Sequence, residues 1–173
     1  LSSCAGMWTY VIGDTVKFVD LDPPRILVTG RTSYMLSAFG EHLIGEQIES
    51  AVTSGADAIN ATISDYSVGS VMPEKEGELG GHLYIVEFLE TDMNEARLNT
   101  FAQTLDQKLV ETNEDYKAHR SGGFGLHAPK IHAVPPGTFA TWMKSRGKLG
   151  GQNKVPRIIN DAELFQNLRD QVK

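Results

Sequence analysis

Three side chains carry most of the chemistry this sequence offers: Asp14, Arg31 and Lys154. Asp14 follows Gly13 at a turn signal beside a β-prone run. A carboxylate fixed there can accept two hydrogen bonds from vicinal hydroxyls, the geometry of ribose recognition. Arg31 follows Gly30 at the end of the apolar run Arg25-Ile26-Leu27-Val28-Thr29, and its planar fork of donors suits a phosphate or ribose oxygen. Lys154 stands in Gly150-Gly151-Gln152-Asn153-Lys154-Val155-Pro156-Arg157. A lysine on a glycine loop can swing into a closing site and neutralise charge that develops on a phosphoryl or carboxylate oxygen. Taken singly, each also reads as a turn aspartate, a surface arginine or a solvated loop lysine.

The remaining reactive residue types point nowhere by themselves. His42, His82, His119, His127 and His132 show no metal spacing, and His127 and His132 fall on opposite faces of one strand. Glu41, Glu46 and Glu49 read as surface or dipole partners of a helix N-terminus. Cys4 has no context that marks a nucleophile, and there is no G-x-S-x-G or C-x-x-C. Ser121-Gly122-Gly123-Phe124-Gly125 lacks the strand-before, helix-after setting of a phosphate loop.

The elements that must position these residues follow from periodicity. Met7–Ile12 is aromatic and β-branched and reads as a strand, turning at Gly13-Asp14 into a second strand, 15–19. Pro23-Pro24 is expected to exclude pairing, and 25–29 is a third strand. A short hairpin-like passage closed by Gly40 leads to a helix over about 41–54. Ile44, Ile48, Ala51 and Val52 form its buried face, and Gly55-Ala56-Asp57 forms its stop. An extended segment over 58–71 carries a bulge near Ser64-Asp65. A polar loop, 73–81, then leads to a central strand, Leu83–Leu89, apolar on both faces.

Asp92 caps a helix with Glu95 three positions on, burying Leu98, Phe101, Ala102, Leu105 and Leu109. After the charged 113–120 comes a strand over 126–134. A helix opened by Pro135-Pro136-Gly137 buries Phe139, Trp142 and Met143 and ends at Gly147. A basic exposed segment, 148–157, precedes a last helix from Asn160 or Asp161, with Leu164, Phe165, Leu168 and Val172 inward. The class is α+β, a mixed sheet flanked by helices.

Composition bounds the partners. The 173 residues carry a formal net charge of −6, which argues against a nucleic-acid phosphate track. No run approaches a membrane span, and one cysteine fits a reducing, cytoplasmic setting. The chain opens at Leu1 without methionine, in the middle of what reads as a strand, so it is expected to be a fragment whose N-terminal partner lies elsewhere.

In combination, Trp8-Thr9-Tyr10-Val11-Ile12-Gly13-Asp14, Pro136-Gly137-Thr138-Phe139 and Gly151-Gln152-Asn153-Lys154-Val155-Pro156-Arg157 resemble the last portion of the adenylate-forming enzymes. Within that superfamily the chain resembles the acyl acid amido synthetases, the auxin-responsive, auxin-conjugating plant enzymes and their bacterial relatives. The likeness is weakest over 55–125. It implies activation of a carboxylic acid by ATP, with Mg2+, to an acyl-adenylate, followed by displacement of AMP by an amino acid or other amine.

It also implies that residues 1–31 end a large adenylation domain and 32–173 form the small mobile C-terminal domain. Asp14 and Arg31 would contact the nucleotide, with Tyr10 of the same aromatic-x-x-Gly-Asp run among the cofactor-binding residues, and Lys154 would serve the adenylation step. Ser33 stands where many members carry an acidic or lysine hinge residue, and His42 near a lysine of the plant enzymes. The phosphate loop and acyl pocket would lie in the partner domain, leaving this part inactive alone. A thiol acceptor, as in acyl-CoA ligases, and a non-catalytic interaction module are the alternatives.

Overall fold

The structure, a computed structural model, describes residues 2–31, 34–73, 75, 77–121 and 125–172, with Gly30 and Arg31 described by their backbone. A three-stranded mixed sheet is its centre. Strand β5 (Ile63–Val71) pairs antiparallel with β6 (Gly81–Phe88), and β6 pairs parallel with β7 (Lys130–Val134). The expected bulge falls where the register shifts between Ile63 and Asp65. As a central strand, β6 is apolar on both faces, and its alternation divides the core in two. Tyr84, Val86 and Phe88 pack with helices α1 (Gly45–Ala58) and α2 (Glu95–Thr112). Ile85 packs on the other side with α4 (Thr138–Ser145) and α5 (Ala162–Gln171). Helices thus cover both faces of the sheet, as the sequence class requires.

Several elements differ from their sequence expectation. Gly55 does not stop α1, which runs on to Ala58. A Cβ at Gly55 would sit 2.9 Å from the Phe101 ring, so the glycine admits α2 against α1 rather than ending a helix. Ile44 is the N-cap of α1 and lies outside its buried face, which Ile48, Ala51, Val52, Gly55 and Ala56 form. The cap of α2 is Asn94, whose side chain accepts from the Arg97 N–H. Asp92 instead holds the Arg97 guanidinium at 2.7 Å. The charged stretch after α2 is a further helix, α3 (Glu114–Arg120), with Asn113 as its cap and acids in its first turn.

The N-terminal part departs most. Met7–Ile12 is not a strand: it holds no strand ladder among the described residues, and Met7 makes an isolated bridge to Ser3. Trp8 and Val11 are 77% and 86% exposed. Strand-prone side chains form a strand only where a ladder is available, and residues 8–13 are in none. The hairpin forms one step later, between β1 (Asp14–Leu21) and β2 (Pro24–Arg31). Pro24 opens β2, a position where a missing N–H costs no ladder bond. The short strands β3 (Met35–Leu36) and β4 (Leu43–Ile44) then pair as the compact passage before α1. The anticipated domain boundary falls on Thr32 and Ser33, which lie outside the described residues.

Candidate functional site

An open cleft of 1600 Å³ lies between the β1–β2 hairpin, the polar side of α1, the start of β5 and the segment after α4. Asp14 lines it from the hairpin and Lys154 from the glycine loop, 140 residues apart in sequence. Asp14 is the first residue of β1 and stands opposite Arg31 in the ladder, so two of the anticipated residues share the open end of one hairpin. The Arg31 side chain lies outside the described residues. Tyr10 is 57% exposed and is not among the lining residues.

The cleft floor is built by strand register. The bulge at Ser64 sets Asp65 and Tyr66 against the cleft. Burial pushes the Asp65 carboxyl up, opposed by a hydrogen bond from the Tyr66 N–H and by the charge of Arg157. The Arg157 guanidinium lies over the Tyr66 ring, 4.5 Å from its centroid, and 3.9 Å from Glu49 of α1.

On the neighbouring strand, buried Glu87 accepts from the N–H groups of Gly137 at 3.0 Å and Phe139 at 2.9 Å. Gly137 has no side chain to cap α4, so a carboxylate from the facing side of β6 does so. That fixes the helix which launches the Lys154 loop. The loop itself turns through Gly147, Gly150 and Gly151, all at positive φ, and remains exposed through Lys154. It ends in a clamp on β5: Val68 donates its N–H to the Arg157 carbonyl, and Ser67 donates its hydroxyl to the Pro156 carbonyl.

Sequence reasoning missed Glu87, Tyr66 and Arg157 as site-forming residues. The central-strand acid inside an apolar run was the available signal for Glu87. Glu41 also differs from its surface expectation, for it is fully buried, with Oε1 2.9 Å from His82 Nε2 and Oε2 accepting from the Phe39 N–H. Among the described residues no group of three His, Cys, Asp or Glu could hold a metal ion, and no helix is long and apolar enough to cross a membrane.

The GH3 family C-terminal domain matches residues 46–163. Two solved structures cover 99% of this chain with a TM-score of 0.77: a GH3.15 acyl acid amido synthetase at 18% identity, and the AtGH3.15 acyl acid amido synthetase in complex with 2,4-DB at 19%. This chain spans 33% and 32% of those chains, about a third of their length. Among curated protein sequences none matches. The α+β architecture is that of the matching third of these two structures. More narrowly, the chain belongs to the GH3 family, whose C-terminal domain it carries.

Proposed function

We propose that this chain is the C-terminal part of an ATP-dependent acyl-acid amide synthetase, which activates a carboxylic acid as its adenylate and transfers the acyl group to an amino acid or other amine. The observation that carries the reading is that Asp14, upstream of the matched residues, and Lys154, inside the GH3 family C-terminal domain, line one cleft. In this reading residues 1–31 close the large nucleotide-binding domain, and 32–173 move as the small one. Asp14 accepts the two ribose hydroxyls, with Arg31 and Tyr10 flanking the nucleotide. Lys154 enters with the glycine loop and meets the negative charge shared by the α-phosphate and the attacking carboxylate. ATP supplies the phosphoanhydride whose cleavage activates the acid. The described residues offer no built Mg2+ site, and no step here depends on one.

The test is made on the whole enzyme that carries this chain. Carboxylic acids should each be screened for acid-dependent pyrophosphate release, and amines and thiols then screened for AMP release. Amine-dependent turnover is the expected result. Thiol-dependent turnover alone would reassign the chain to acyl-CoA formation, and no acid-dependent pyrophosphate with any acid would sink the catalytic reading.

A further inference from the structure

The Lys154 loop has one exposed, glycine-rich stretch and one fixed end. Its upstream part turns on glycines and is exposed, with Lys148 N–H donating back to the Met143 carbonyl of α4. Downstream the chain is fastened within a few residues. Pro156 and Arg157 give their carbonyls to Ser67 and Val68, and Ile159 donates its N–H to the Val68 carbonyl, adding a parallel bridge to the β5 edge. The Arg157 side chain belongs to this fastening but not to the core. It is 48% exposed, with its guanidinium carbon over the Tyr66 ring 4.5 Å from the centroid, and has Glu49 at 3.9 Å. Three residue steps separate Arg157 from Lys154, a span of at most about 11 Å when fully extended. Wherever the glycines let the loop wander, Lys154 is tethered to the Arg157–Tyr66 contact on the cleft floor.

We propose that Arg157 is a positioning residue for Lys154: its stacking on Tyr66, steered by Glu49, sets the origin from which the lysine reaches across the cleft toward Asp14. The guanidinium itself need not touch the substrate. It acts by holding the pivot, as a cation drawn to the face of an aromatic ring. The kinetic consequence rests on the functional reading above; the structural consequence does not.

Two measurements on Arg157→Ala test this, with Arg157→Lys as the conservative variant and thermal melts by circular dichroism to establish folding. On the chain itself, limited trypsin cleavage after Lys154 should accelerate about fivefold relative to cleavage after Lys148, the factor that losing an ordinary cation–π contact gives. On the whole enzyme, pyrophosphate formation in a single turnover should fall about ten- to a hundredfold, the scale on which a misplacement of about 1 Å acts. Apparent ATP affinity and transfer from pre-formed acyl-adenylate should hold, and Arg157→Lys should recover part of the loss. An unchanged cleavage ratio in a folded variant overturns the proposal. So does a raised ratio with intact adenylation, provided Lys154→Ala abolishes adenylation. If Lys154→Ala leaves adenylation intact, the functional reading fails instead, and the cleavage ratio still decides whether Arg157 holds the loop.

Discussion

At the scale of single residues, the buried Glu41–His82 pair makes the sharpest stability prediction. Burial alone would raise the Glu41 carboxyl, yet hydrogen bonds from His82 and from the Phe39 N–H outweigh it and hold the group below its ordinary value. A carboxyl depressed by folding adds stability that is fully present above its unfolded value and is lost as pH falls through the folded one. Denaturant midpoints measured from neutral pH downward should therefore fall more steeply for the native chain than for Glu41→Gln below the usual glutamate range; parallel profiles would refute this. Glu41→Ala leaves buried His82 and the Phe39 N–H without their acceptor and should cost about 1–3 kcal/mol. In the sequence this pair was invisible, because 41 residues separate its members and Glu41 precedes a helix like any dipole partner. The place of Asp14 at the start of a strand, by contrast, was legible from Gly13-Asp14. Asp14→Ala should weaken ATP binding by the whole enzyme by about 2–3 kcal/mol, the strength of hydrogen bonds to a charged group; unchanged affinity would remove it from the site.

At the scale of elements, apolar periodicity gave α2, α4, α5 and the central strand with their inward faces, since local pattern and tertiary burial agree there. It failed where tertiary contact reverses a local rule. Gly55 carries the local mark of a helix stop, yet it stands where α1 and α2 meet most closely, facing Phe101. Gly55→Ala adds a methyl 2.9 Å from that ring, and overpacking should outweigh the gain in helix propensity, costing about 1–3 kcal/mol. Thermal denaturation decides it: a stabilised variant would return Gly55 to the role of a merely tolerated glycine. The run Met7–Ile12 failed for the complementary reason. Its residues prefer strands, but preference without a partner ladder leaves Trp8 and Val11 in solvent.

At the scale of the whole molecule, the β1–β2 hairpin exposes Val16, Phe18 and Leu21 on one strand and Ile26, Leu27 and Val28 on the other, while both sheet cores are closed by helices. Hydrogen exchange on this chain should accordingly lose protection over 2–30 well before β5, β6 and α2; uniform protection would argue against the proposed boundary. The central claim, however, concerns the cleft between the hairpin and the glycine loop. If Lys154 enters only when the small domain closes for adenylation, its loss must divide the two half-reactions. Single-turnover assays of Lys154→Ala in the whole enzyme would follow pyrophosphate release from ATP and acid in one arm, and product formation from pre-formed acyl-adenylate in the other. The account predicts that the first falls about a hundred- to a thousandfold, the loss expected for one preorganised group at a reacting centre, while the second is nearly unchanged. Equal losses in both arms, or none in either, would contradict it.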